Sequence, residues 1–139
     1  MIRPCVLLTL AISVSACALP FPGSTPVVKT ASSIQDNVAV TPRDGAGAIL
    51  VMRDKQLQGM DCIHDVSLDE KPVAQLRAGE QLTIYADPGD RLVIVSVHVE
   101  GKCEPAVARV PLLVTAYATT KVRVRTDGYY GLKVEATTY

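Results

Sequence analysis

A chain of 139 residues with 48% hydrophobic content has the length and composition for one domain with its own core. Its 14 basic and 14 acidic residues cancel, which excludes the strongly basic field of a nucleic-acid-binding surface. Five Tyr, one Phe and no Trp leave too few rings for a base-stacking platform or an aromatic-lined sugar site.

The chain opens with Met1-Ile2-Arg3-Pro4, which carries one positive charge, and continues into the apolar run Val6-Leu7-Leu8-Thr9-Leu10-Ala11-Ile12-Ser13-Val14. That run is about ten residues long, the length of a secretory h-region and well short of the ~20 residues a membrane-spanning helix needs. It closes on Val14-Ser15-Ala16-Cys17, an aliphatic residue, two small ones and a cysteine. This stretch resembles the lipobox of bacterial lipoproteins. The resemblance implies cleavage before Cys17, a thioether-linked diacylglycerol on its sulfur and acylation of the new N-terminus. Several acyl chains, at ~0.8 kcal/mol per buried methylene, make such attachment effectively permanent. Ala18 follows the cysteine. In lipoproteins of double-membraned bacteria the absence of Asp there implies export to the outer membrane, with the domain on the periplasmic face.

Given that start, the cysteines divide without remainder. Cys5 lies in the discarded signal, Cys17 takes the lipid, and Cys62 and Cys103 remain as a pair in a compartment that favours disulfides. Closing a loop of about forty residues contributes ~4 kcal/mol in the chain-entropy model.

Residues 17–45 read as a lipidated cysteine and flexible tether. Pro20, Pro22, Gly23, Pro26 and Pro42 punctuate the segment, apolar periodicity is absent, and the prolines favour extended backbone. Such a tether lifts a domain off the bilayer by tens of ångströms at ~3 Å per residue. Val38-Ala39-Val40 is the one place in it that reads as an edge strand.

From residue 46 the pattern changes to short β runs. Ala48–Arg53 is nearly continuously apolar, as in a central strand, and 54–61 is a polar loop. Ile63–Leu68 follows, then the turn Asp69-Glu70-Lys71-Pro72 and the strand Val73–Leu76. After Arg77-Ala78-Gly79-Glu80, the run Gln81–Ala86 alternates strictly, with Leu82, Ile84 and Ala86 inward. Asp87-Pro88-Gly89-Asp90 is a strong turn signal, because Pro presets one dihedral and Gly supplies positive φ. Leu92–Val99 puts valine at every odd position, while its even face softens to Ser96 and His98. Ala106–Thr115, Lys121–Thr126 and Leu132–Thr137 complete the set, the last two joined by Asp127-Gly128-Tyr129-Tyr130-Gly131. In those two, Val122, Val124, Leu132, Val134 and Ala136 face inward, and Lys121, Arg123, Arg125, Lys133 and Glu135 face out. Seven to eight short strands without helical periodicity predict a compact antiparallel β-sandwich over residues 46–139.

The succession Val66-Ser67-Leu68-Asp69-Glu70-Lys71-Pro72-Val73-Ala74-Gln75-Leu76, Gly79-Glu80 and Pro88-Gly89-Asp90 resembles the PEGA-type β-sandwich module. It is closer still to small bacterial lipoproteins of unknown function built on a related domain. The likeness covers most of residues 48–139 and consists of turn chemistry. Two departures stand out: Glu70 where Gly is usual in the turn, and Arg91 where His often follows Pro-Gly. The resemblance implies the sandwich and supplies no functional residue.

Three groups of side chains bear on chemistry. Cys62, His64, His98 and Cys103 make up the ligand set of a tetrahedral zinc site, and imidazole also suits copper. Against that stand a secreted setting, which favours a disulfide, and spacings that match no CxxC or HxxxH pattern. Asp69-Glu70 and the pair Asp87 and Asp90 sit at turns, where Asp bonds its own backbone, rather than across a cleft as in a glycosidase. No serine occupies a nucleophile elbow and no glycine-rich loop opens a helix, so no catalytic residue and no cofactor is expected. The sequence thus points to a non-catalytic structural or adaptor lipoprotein, with residues 1–16 as signal. Its partners are the membrane, through lipid, and an envelope protein met through a sheet face or edge, and no nucleic acid. The alternative is a small-ligand or metal binder using the region of Cys62, His64, His98 and Cys103.

Overall fold

A computed structural model describes residues 29–57, 59–127 and 131–138. The lipobox-like stretch with Cys17, and most of the 127–131 loop, lie outside the described residues. Ten strands form: β1 (Lys29–Thr30), β2 (Ser33–Ile34), β3 (Gly47–Arg53), β4 (His64–Leu68), β5 (Lys71–Leu76), β6 (Glu80–Ala86), β7 (Gly89–Val97), β8 (Val107–Val114), β9 (Thr119–Asp127) and β10 (Gly131–Thr138). They assemble into two five-stranded sheets, β1-β6-β3-β9-β10 and β2-β5-β4-β7-β8, and no helix occurs among the described residues. The chain is an all-β sandwich.

Period-two alternation decides which side chains meet. Ile49 and Val51 of β3 stand opposite Ile84 and Leu82 of β6, and Val51 also stands opposite Val122 of β9. These fully buried residues face Val66, Val73, Leu76, Val93 and Val95 of the second sheet. Burying each such side chain contributes ~1.5–3 kcal/mol, so this interior is the main source of stability. The second sheet is antiparallel throughout, whereas the first contains two parallel pairings, β1 with β6 and β3 with β9.

Residues 29–45 are a correction to the sequence reading. In place of a tether, they form a strap along one open side of the sandwich. β1 pairs with the edge of β6, β2 pairs with the edge of β5, and Ala31 and Ala39 are buried. The amides of Gln35 and Asp36 donate to the carbonyl of Val73, and that of Tyr85 donates to the carbonyl of Ala39. Val38-Ala39-Val40 is a turn rather than a strand, because the Asp36 carboxylate accepts the amides of Val38 and Ala39 at 2.9 and 3.2 Å. The strap covers two strand edges with backbone bonds, which require no apolar periodicity. Eleven residues (18–28) then separate Cys17 from Lys29, so a lipid on Cys17 would hold the domain within about 40 Å of the bilayer.

The strands place their connections at two ends. At the turn end lie 69–70, 87–88 and 115–118. At the loop end lie 54–63, 77–79 and 98–106.

Candidate functional site

The loop end is built around β3 and β4. Arg53 is buried because it shares the inward parity of Ile49 and Val51. Its guanidinium donates to the carbonyls of Leu76 at 2.9 Å, Gly59 at 2.6 Å and Cys62. Burial lowers its pKa to about 10, with Glu80 opposing the shift, so the group stays charged at neutral pH. One side chain thereby fixes the return of the 54–63 loop onto the second sheet. On the other side of this loop, the Gln56 side chain accepts the amide of Thr126 at 2.7 Å, as a neighbouring strand would.

Cys62 and Cys103 are joined in a disulfide with a Cα–Cα distance of 5.7 Å. The bond ties the 54–63 loop to the 98–106 loop. Two members of the four-residue metal set are consumed by it, and the histidines diverge. His64 begins β4 on the inward face, while His98 lies on the outer face, its Nδ1 2.9 Å from the Asp65 carboxylate. Gln75 also donates to Asp65, at 2.8 Å. Among the described residues no group of three or more His, Cys, Asp or Glu side chains is placed to hold a metal ion.

What the four residues do share is a cavity of about 440 Å³ between the two loops, closed on a third side by Thr126, Gly131 and Leu132. Met60, Ile63, Val97 and Leu132 give it apolar walls. His64 lines it with only 3% of its surface exposed, and its Nδ1 is buried without a hydrogen-bond partner among the described residues. Burial, reinforced by the neighbouring Arg53 charge and opposed by Asp65, lowers the His64 pKa to about 4, so its ring is neutral at physiological pH. Sequence reasoning named His64 and missed Arg53; the signal for both was a polar residue at inward strand parity.

The second candidate is the outer face of the second sheet. Outward positions on β7 are Asp90, Leu92, Ile94 and Ser96, opposite Leu113, Pro111, Arg109 and Val107 of β8. Val107 and Leu113 are 61% and 62% exposed. Arg109 stands directly across from Ile94 and has no hydrogen bond or ion pair with any described residue. The amide of Val97 donates to the carbonyl of Ala106, which makes 97 and 106 a hydrogen-bonded pair and, counting along the ladder, turns the Pro111 nitrogen toward the free edge. Proline therefore removes a donor from the middle of that edge. The outer face of the first sheet is different in kind, with Arg125–Glu135 at 2.9 Å, Lys133–Glu135 at 3.1 Å and Arg123–Asp54 at 2.8 Å.

Two of the four turn carboxylates, Asp69 and Asp87, are occupied locally. Asp69 accepts the Leu92 amide at 2.9 Å and pairs with Arg91 at 3.1 Å, and Asp87 pairs with Arg43 at 3.0 Å. No protein-family model matches the chain, and no curated protein is similar enough to it to count as a relative.

Proposed function

We propose that the chain is a non-catalytic adaptor lipoprotein of the bacterial envelope. Lipid on Cys17 anchors it to the periplasmic face of the outer membrane, and the outer face of its second sheet docks a partner protein. The observation that carries the docking is the patch of Leu92, Ile94, Val107, Pro111 and Leu113 around Arg109, a cation without a partner among the described residues. Apolar area around a central arginine is the composition of an interface core, and the matching surface is apolar with one carboxylate opposite Arg109. Pro111 directs the contact to the face, since strand addition at this edge would lack a donor at its centre. The non-catalytic reading is supported by Asp69 and Asp87, two of the four turn carboxylates, which are spent on a local amide and arginines.

Crosslinked envelopes test the docking. A partner recovered with the unaltered protein is lost with Arg109→Glu and with Leu113→Asp and kept with Lys133→Glu, which lies on the first sheet. Equal recovery with all four forms would remove the face from the proposal. The anchor is tested separately: Cys17→Ser is expected to leave the membrane pellet, and its retention there would refute lipid attachment.

A further inference from the structure

We propose that the cavity at the loop end binds a small amphiphilic amine, with an apolar body, an uncharged hydrogen-bonding group at its buried tip and a protonated nitrogen at the mouth. The volume, about 440 Å³, lies within the ~300–1,000 Å³ span of small-molecule sites. Walls of Met60, Ile63, Val97 and Leu132 suit an apolar body. The tip is set by His64. Its ring lines the cavity and makes no hydrogen bond with a described residue, at an inward position of β4 where the next inward residue is the fully buried Val66. An apolar residue would leave no unmet bond there, whereas a neutral imidazole offers one donor and one acceptor to a hydroxyl in either tautomer.

The orientation follows from charge. Arg53 interacts electrostatically with His64 and disfavours a second cation beside it. The lining also contains Asp61, Glu100 and Glu104 against the single ammonium of Lys102, and none of these four is ion-paired with a described residue. Carboxylates alone would define no site; the buried His64 ring, which lines the same cavity without a hydrogen bond to any described residue, is the independent observation. The disulfide joins the two loops that form opposite walls, so the cavity exists before a ligand arrives and little ordering opposes binding. This site is separate from the docking face, and either proposal can fail without the other.

Three matched probes test the assignment by titration calorimetry on the purified full chain: tyramine, phenethylamine, which lacks the hydroxyl, and 3-(4-hydroxyphenyl)propionate, which replaces the amine with a carboxylate. Tyramine is expected to bind at one site per chain. Phenethylamine is expected to bind about fivefold more weakly, the effect of one neutral hydrogen bond. The propionate is expected to bind about tenfold more weakly, for reversal of charge near carboxylates. His64→Met should erase the difference between the two amines, and the doubly substituted Glu100→Gln, Glu104→Gln protein should narrow the gap between tyramine and the propionate. Absence of saturable tyramine binding, or equal affinity for all three probes, would overturn the proposal with the unaltered protein alone. A hydroxyl preference that persists in His64→Met would overturn the role of His64.

Discussion

The two ends of the sandwich are held together by different physics. At the turn end the chain reverses in a few residues, and backbone geometry sets the structure. Asp69 and Glu70 both have positive φ, 49° and 68°, in a two-residue hairpin, and Tyr117 repeats the conformation at 61° where the chain passes from the second sheet to the first. At the loop end two connections, 54–63 and 98–106, are long and lack regular pairing, so side chains replace the backbone ladder: one disulfide, one arginine on three carbonyls and one glutamine mimicking a strand. The loop end holds a cavity lined by His64, whose buried Nδ1 is unsatisfied among the described residues. A fold can leave a polar group unmet where covalent and charged restraints hold the surroundings in place.

Breaking the disulfide should have the largest effect, and its local consequences should be confined to the loop end. Cys62→Ser with Cys103→Ser, or reduction, is expected to lower stability by ~2–5 kcal/mol in urea unfolding. Hydrogen exchange should rise in 54–63 and 98–106 before it rises at 69–70 or 115–118. Uniform loss of protection would show that the ends are one cooperative unit and that the contrast is only geometric.

His64 gives a second contrast, in pH. Its pKa is 6.5 as a free side chain and about 4 in the folded chain. Between those values the unfolded chain binds a proton that the folded chain refuses. Stability is therefore full above pH ~6.5 and falls as pH drops toward 4, by up to about 3 kcal/mol. Carboxylates titrate in the same window, so the measurement is the difference between the unaltered protein and His64→Met across pH 4 to 7. Parallel curves would mean that His64 is not the sensitive group.

The strands were legible because inward residues alternate along them: Leu82, Ile84 and Ala86, or Val122 and Val124, can be assigned to a core from spacing alone. The disulfide was legible from cysteine accounting. The strap was not, since two-residue strands carry no period and its buried side chains are alanines. The cavity was half legible. His64 was singled out for metal chemistry, but that reading joined it to His98, and adjacent positions of opposite parity on paired strands put the two rings on opposite faces of one sheet. Arg53 was passed over as the polar end of an apolar strand, although its parity with Ile49 and Val51 pointed it into the core.

At the turn end, Gly47 tests how tightly the backbone is packed. A Cβ there would fall inside van der Waals contact with the carbonyl oxygen of Thr115 and with the Val114 side chain. Both neighbours belong to the β8–β9 crossing, and a backbone carbonyl cannot swing aside as a flexible side chain can. Gly47→Ala is expected to cost ~1–3 kcal/mol, the usual range for overpacking. A neutral result in urea unfolding would show that the crossing yields, and the turn end would no longer count as the one held by backbone geometry.

The smallest expected effect is a gain. Two-residue hairpins of this hand take Asp-Gly or Asn-Gly, because the second position needs φ near that of the left-handed region. Asp69 suits the first position, and its carboxylate accepts the amide of Leu92. Glu70 holds φ 68° with a side chain that has no hydrogen bond or ion pair with any described residue, so its conformation carries a cost and no compensating contact. That cost is ~1–2 kcal/mol for an L-residue in this region. Glu70→Gly removes it but gives the unfolded chain more freedom, which offsets part of the gain. The net expectation is a stabilisation of about 1 kcal/mol, a rise in Tm of a few degrees for a domain of this size. Glu70→Ala is the control: it deletes the same carboxylate, keeps the Cβ, and should gain nothing. If both substitutions stabilise equally, the relief comes from removing a charge beside Asp69, and backbone strain at this turn is not what distinguishes the two ends.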